Sequence, residues 1–450
     1  MESLRILLTT SINEKVYPYP MEDGRNRFEV EIVGSSSWGG EIGSSTDIDL
    51  VIVDRMLPKG YEPSLWLQPP GTIPNISVTK ARLSRYLNKS DCHSSTNDID
   101  LPGCYYLKEL SDLIDNLGMT HIIRSPQALP LLKFVDPKRK LGCDLQCNNL
   151  SGLYNCSLIL HYCQISPFVL RPLICFVKNW YKVKSGKDPK TSNRINPFKL
   201  SSYCLSLICI SYLQHIGHLP NLQKNINVKE YSTEEDWLND DELVWSEWGK
   251  LQGTSSHTFF TKSVPHDWKA SDPTLTVDQA VRGFFRFFSQ NPPQTYFSSI
   301  DPSENVDQFV PLYQIISPLD GGITSRSAPY KSPTLVKMNE SIIGDKDQQI
   351  RYYLVYKGYS TDQIKLIMNE WKIQKAKKLR MEMGKGNLGL QPPEWEKNRL
   401  VVQDPFIWTK NQAASMDDQA FDTFFECVTQ TDKNLASLGS EATVEHLLET

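Results

Sequence analysis

Residues 33–54 read Val33-Gly34-Ser35-Ser36-Ser37-Trp38-Gly39-Gly40-Glu41-Ile42-Gly43-Ser44-Ser45-Thr46-Asp47-Ile48-Asp49-Leu50-Val51-Ile52-Val53-Asp54. An apolar strand carrying Phe28, Val30 and Ile32 runs into this Gly/Ser loop, and Asp47-Ile48-Asp49 opens a second apolar strand. Side chains alternate along a strand, so Asp47 and Asp49 point to one face with α-carbons roughly 7 Å apart. Two ionised carboxylates that close repel each other unless a cation lies between them, and a divalent metal is the natural occupant. Gly34, Gly39, Gly40 and Gly43 let backbone N–H groups turn inward on a phosphate chain. The stretch therefore reads as a site for a nucleoside triphosphate with Mg²⁺.

The rest of the chain sets bounds on that reading. With 450 residues, 40 % hydrophobic and 22 % charged, it has room for two or three domains with sizeable cores. No apolar run approaches a membrane span, and Met1 to Thr10 lacks the pattern of a secretory leader. Ten cysteines are scattered without a CxxC pair, which argues against zinc and against a disulfide framework. Cys156, Cys163, Cys175, Cys204 and Cys209 lie in apolar stretches and are expected to be buried. The expected location is a reducing one, cytoplasmic and/or nuclear. Net charge is −4, but it is unevenly spread. Arg171–Lys199 holds eight Lys/Arg against one acid and Lys365–Lys385 seven against two, whereas Glu230–Trp248 holds eight acids and no base. Such asymmetry can give an acidic protein one strongly positive surface; the plainer reading is a set of solvated helix faces.

Along the chain, residues 55–104 are rich in Pro, Gly, Ser, Asn and Asp and read as an insertion. The spacing of Leu107, Leu110, Leu113, Ile114 and Leu117 predicts a helix, and Leu129–Val135 with Leu141–Cys147 predicts a hairpin across Asp136-Pro137-Lys138-Arg139. From about Ser157 helical patterns take over, at Leu158–Cys163, Phe168–Val183, Leu200–His215 and Val277–Ser289. Ser317–Gly344 reads as a loop, Ser360–Met383 as a basic helix and Phe421–Ser437 as a closing amphipathic helix. The expected organisation is an α/β lobe over residues 1–160, a mainly helical lobe over 161–437 with an insertion at about 318–400, and a flexible tail at 438–450. The active site is expected in the cleft between the lobes.

A two-metal phosphoryl-transfer site needs a third carboxylate, and Asp144 on the predicted strand Leu141–Cys147 is the candidate. Asp98-Ile99-Asp100 repeats the same tripeptide, but Leu101-Pro102-Gly103 follows it and no Gly/Ser loop precedes it, so it reads as a turn.

Gly34-Ser35 with Gly39, Asp47-Ile48-Asp49, and Pro130-Leu131-Leu132-Lys133-Phe134 before Asp144 resemble the DNA-polymerase-β-type nucleotidyltransferase superfamily. Further segments narrow the resemblance to the noncanonical poly(A) polymerase and terminal uridylyltransferase family. These are Asn148-Asn149 and Asn155, Arg171-Pro172-Leu173 running into Lys178-Asn179-Trp180 and Lys182, and Leu200-Ser201-Ser202-Tyr203. Leu213-Gln214, Leu219-Pro220-Asn221-Leu222-Gln223, Phe284-Phe285-Arg286-Phe287-Phe288, and Asp404-Pro405-Phe406 with Asn411 complete the set. The resemblance implies an α+β fold, a nucleotidyltransferase mixed sheet with flanking helices joined to a mainly helical central and PAP-associated domain.

It also implies roles. Asp47, Asp49 and Asp144 would hold two Mg²⁺ or Mn²⁺ ions and, through Asp144, help to activate an RNA 3′-OH. Gly34, Ser35 and Gly152 would lie at the nucleotide, Asn155 at the ribose 2′-OH, Lys178, Lys182 and Ser202 at the triphosphate, and Tyr203 under the base. Asp404 and Lys410 fall in the base-reading stretch. Uridine-specific members carry an acid at the Ile407 position and a histidine at the Lys410 position; this chain has neither. Lysine offers donors that suit adenine or uracil alike, and without the uracil-reading histidine the reading leans to adenylyl transfer.

The expected activity is therefore template-independent addition of nucleoside monophosphates to an RNA 3′ end, with ATP favoured and UTP open. RNA would be held through phosphates by basic side chains including Lys372, Lys375, Lys377, Lys378 and Arg380. Two other readings use the same residues: an oligoadenylate-synthetase-like enzyme, and a non-catalytic scaffold that binds protein partners through its insertions. The loop also departs from the family in carrying bulky Trp38 and Glu41.

Overall fold

The computed structural model describes residues 1–16, 21, 23–41, 47–55, 102–105, 107–125, 131–185, 196–224, 243–245, 255–290, 314–325, 395, 398–407 and 410–437. The chain divides into two compact units, residues 1–157, 229–258 and 340–388 in the first, and 158–228, 259–339 and 389–450 in the second.

The first unit is built on the strand–loop–strand of the opening motif. β1 (Phe28–Val33) and β2 (Ile48–Asp54) pair antiparallel, with Phe28 opposite Asp54 and Val33 opposite Asp49. β5 (Leu141–Cys147) runs parallel to β2 on its other side. The predicted hairpin is present: β4 (Leu131–Asp136) returns antiparallel to β5, and β3 (Thr120–Ser125) closes the edge. The order β1-β2-β5-β4-β3 makes a mixed five-stranded sheet. Its alternation is visible in burial. Leu132, Phe134, Cys143, Leu145 and Ile48 enter the core, while the intervening residues face away from it.

Helix α1 (Glu2–Lys15), not anticipated from the sequence, covers this core with Leu4, Leu8 and Ile12, spaced four apart on one face. Asn13 joins it to β1: its amide donates to the Phe28 carbonyl at 2.8 Å and its oxygen accepts the Phe28 N–H at 3.1 Å. Helix α2 (Leu107–Asn116) adds Leu107, Leu110, Leu113 and Ile114 to the same core. The far end of β2 is fixed by charge. Arg27 donates two hydrogen bonds, of 2.9 and 2.7 Å, to buried Asp54, and the Tyr105 hydroxyl donates a third at 2.8 Å.

α3 (Ser151–Ile165) follows β5, and the unit boundary falls within it. A short hairpin of β6 (Leu243–Trp245) and β7 (Ser255–His257) also belongs to the first unit.

The second unit is mainly helical, with α4 (Leu170–Ser185), α5 (Ser202–His215), α6 (Val277–Gln290) and α7 (Asp418–Ser437). α5 is its centre: every residue from Cys204 to Gln214 is buried. Trp180 of α4 meets Phe285 of α6 and Phe424 of α7 edge to face, at centroid distances of 4.9 and 5.7 Å.

Some expectations need correction. Ser317 and residues 322–325, read as loop, belong to a β-hairpin of β8 (Gln314–Ser317) and β9 (Gly322–Ser325). Cys156 and Cys175 are only half-buried, unlike Cys163, Cys204 and Cys209. The basic segment with Lys372, Lys375, Lys377, Lys378 and Arg380 lies outside the described residues, as do the Asp98–Asp100 repeat and the 438–450 tail. Among the described residues no helix is long and apolar enough to cross a membrane.

Candidate active site

The parallel register of β2 and β5 sets Asp49 opposite Asp144 and Ile48 opposite Cys143. Ile48 and Cys143 point into the core, so Asp49 and Asp144 share the opposite face, about 4.8 Å apart between neighbouring strands. Asp47, two residues before Asp49, is exposed at the mouth of β2 beside Gly142: a β-carbon on Gly142 would lie 2.1 Å from Asp47 Oδ1. Gly34 does the same for Asp49, with 2.1 Å between its would-be β-carbon and Asp49 Oδ2. Two glycines thus clear the space that the carboxylates occupy.

Asp144 is engaged. Lys133, its partner in the β4–β5 register, donates to Asp144 Oδ2 at 2.7 Å. Lys133 alternates with buried Leu132 and Phe134, which by itself puts it on the Asp144 face. Among the described residues no three His, Cys, Asp or Glu side chains are grouped closely enough to enclose a metal ion. The chemistry of the donors nonetheless suits a hard divalent cation: oxygen ligands only, carboxylate charge on one sheet face, and one cation, the Lys133 ammonium, already standing in against Asp144. Cys143 is no rival ligand, because its side chain points into the core; there burial first, then the carboxylates of Asp136, Asp47 and Asp144, push its thiol up to about 12.

The Gly/Ser loop opens with a single 3₁₀ turn, Gly34–Ser37. Gly34 has φ +71°, in the left-handed region, which lets the chain leave β1 and reverse at once. Its N–H donates to Cys156 Sγ at 3.0 Å, and the Ser37 hydroxyl donates to its carbonyl at 2.8 Å. Cys156 sits on α3, and Gly152, one turn earlier on that helix, packs against Val33, the residue before the turn. Gly34, Ser35 and Gly152 are thereby brought together, and Asn155 lies on the same helix. Bulky Trp38 fits because its ring folds back over Gly40, where a β-carbon would fall 1.9 Å from it. Asn148, with φ +50°, stitches strand ends: its N–H donates to the Ile52 carbonyl at 2.7 Å and its side chain accepts the Asp54 N–H at 3.2 Å.

In the second unit, Lys178 and Lys182 are one helical turn apart on α4. Lys178 is buried and Lys182 half-buried. Between them in sequence, Tyr181 reaches the segment before α5, where its hydroxyl accepts the Leu200 N–H at 3.0 Å and donates to the Leu200 carbonyl at 3.1 Å. Ser201 then caps α5, its hydroxyl accepting the Cys204 N–H at 3.1 Å. Exposed Ser202 and half-buried Tyr203 therefore sit on the first turn of a 14-residue helix, whose N-terminal dipole favours an anion.

Residues 401–403 are laid against β8. Ile316 N–H donates to the Val401 carbonyl at 3.0 Å and Gln403 N–H to the Ile316 carbonyl at 2.9 Å. Gln214 binds the carbonyls of Pro220 and Pro318, and Gln223 that of Pro405, so these motif glutamines are braces. Asp404 is 2 % exposed, and its carboxylate accepts the N–H groups of Phe406 and Ile407 and the side-chain amide of Gln412. Burial raises its pKa, against the lowering effect of those N–H groups. Its oxygens shape the turn, leaving half-buried Lys410 as the base-reading candidate of this segment.

Residues 3–164 match the family model of the central palm domain of mitochondrial-like poly(A) RNA polymerases. Among curated proteins, Poly(A) RNA polymerase cid11 of Schizosaccharomyces pombe is 25 % identical over 216 residues, 43 % of this chain and 44 % of that protein. Human Poly(A) RNA polymerase GLD2 is 33 % identical over 108 residues, 23 % of this chain and 21 % of that protein. The chain thus spans less than half the length of the curated relatives it matches. Of solved structures, the Cid1 poly(U) polymerase superposes with a TM-score of 0.51 at 15 % identity, covering 99 % of this chain and 90 % of that one. mtPAP in complex with ATPγS gives 0.52 at 13 % identity, covering 99 % and 65 %. The resemblance read from the motifs is borne out, and the fold is that of these nucleotidyltransferases.

Proposed function

We propose that this chain is a template-independent RNA 3′-terminal nucleotidyltransferase, adding nucleoside monophosphates from NTPs and favouring ATP. The observation that carries the reading is the pairing of Asp49 with Asp144 across parallel strands, with Asp47 on the same face and the Gly34–Ser37 turn beside Asp49. The poly(A) and poly(U) polymerases among its relatives support the chemistry, and the absence of a histidine at Lys410 favours adenine over uracil.

In this account Asp47, Asp49 and Asp144 would hold two Mg²⁺ or Mn²⁺, which when bound supply charge neutralisation at the phosphates and a more acidic 3′-OH. The chain's own groups do the rest. Loop amides and Ser35 turn toward the terminal phosphates. Asn155, both donor and acceptor, takes the ribose 2′-OH. Lys178, Lys182 and the α5 N-terminus at Ser202 hold the triphosphate, and Tyr203 stacks on the base. Held in line, the RNA 3′-oxygen attacks the α-phosphorus, a new phosphodiester forms, and the bond to pyrophosphate breaks.

The test is incubation of purified protein with a labelled RNA oligonucleotide and each NTP separately, in Mg²⁺ or Mn²⁺, beside reactions holding ATP alone. Lengthened RNA with ATP supports the reading. Products from ATP without primer would favour the oligoadenylate-synthetase-like alternative, and no product with any NTP would favour a scaffold.

A further inference from the structure

We infer that Lys133 is a placeholder cation: it holds Asp144 in the ion-free protein and gives it up when a divalent ion and its nucleotide arrive. The inference rests on the metal-binding role proposed for Asp144. Three observations carry it. Lys133 lies opposite Asp144 in the β4–β5 register, so the contact is fixed by the sheet. The ammonium takes Oδ2 at 2.7 Å, and no three acidic side chains among the described residues are gathered around one point. The pair is easily traded, because the Lys133 side chain is 44 % exposed on a flexible stem whereas that of Asp144 is 19 % exposed.

The physical logic is competition. A divalent ion at Asp144 must either displace the ammonium or tolerate a like charge nearby, and both weaken ion binding. Nucleotide phosphates reverse this, since they bring negative charge that the freed ammonium can meet. Ion and nucleotide then bind cooperatively, and the coupling is reciprocal. Lys133 is thus a positioning residue for Asp144.

The test is Mn²⁺ titration followed by electron paramagnetic resonance, with and without a non-hydrolysable ATP analogue, on wild type, Lys133→Met, Lys133→Gln and Lys133→Arg. The neutral variants should bind Mn²⁺ about tenfold more tightly than wild type without nucleotide, and the gain from adding the analogue should shrink. Lys133→Arg, which keeps the charge, should behave as wild type. Equal or weaker Mn²⁺ binding by both folded neutral variants overturns the inference, even if wild type extends RNA. Wild type that neither binds Mn²⁺ with the analogue nor extends RNA overturns the function and this inference together.

Discussion

Asp49 and Asp144 come from segments 95 residues apart, yet they stand side by side because β2 and β5 are parallel neighbours. Each is expected to be indispensable, and the two should act as one unit. Asp49→Asn and Asp144→Asn should each lower RNA extension by about a thousandfold, about 4 kcal/mol in the transition state. The double variant should lose little more, since groups acting together are non-additive. Single-turnover rates of the four proteins check this.

Glycines that clear space for carboxylates give a second prediction. Gly142→Ala crowds Asp47 without demanding an unusual backbone angle, so it should lower extension by about a hundredfold at nearly unchanged thermal stability. Gly34→Ala crowds Asp49 and also places a β-carbon at φ +71°, so it should cost an additional 1–2 kcal/mol, roughly, in stability. Calorimetry and extension rates on the same preparations separate the effects.

Tyr181 braces the start of α5 through Leu200. Tyr181→Phe leaves the Leu200 N–H without its acceptor, about 1–3 kcal/mol, while the Leu200 carbonyl keeps the Asn196 amide. Because Ser202 and Tyr203 follow two and three residues after Leu200, KM for the NTP should rise more than kcat falls. Steady-state kinetics against NTP concentration read this directly.

The carboxylate of Asp404 and the side chain of Lys410 should separate stability from base choice. Asp404→Asn should destabilise the turn at residues 404–407 and leave the ATP-to-UTP ratio unchanged. Burial raises the Asp404 pKa above its ordinary 3.8, so the folded state binds the proton more tightly. Its contribution to stability is therefore fullest below that ordinary value and declines as pH rises through the raised folded value. Wild type should lose stability relative to Asp404→Asn over that interval, as denaturant titrations at several pH values would register. Lys410→His should raise use of UTP relative to ATP, and an unchanged ratio removes Lys410 from base reading.

What the sequence disclosed follows from where its signals are strong. The β1–loop–β2 unit and the β4–β5 hairpin were legible because alternation and turn residues coincide, and the helices of the second unit because their apolar faces repeat. α1 went unnoticed since exposed Ile6 blurs the stripe of Leu4, Leu8 and Ile12. β8 and β9 are four residues each, around Pro318, Gly321 and Gly322, and so resembled a loop. Residue type does not tell where the Asp404 carboxylate points, although Asp followed by Pro is a turn signature, and here it accepts two backbone N–H groups. The Lys133–Asp144 contact needed the register of two strands.

The central claim is that these carboxylates serve RNA 3′-end extension. The most direct measurement is gel-resolved lengthening of a 5′-labelled RNA by wild type and by Asp144→Ala, side by side, with ATP and Mg²⁺ or Mn²⁺. Wild type should give a ladder of added nucleotides and the variant an unextended primer. A variant that extends RNA as well as wild type would contradict that claim.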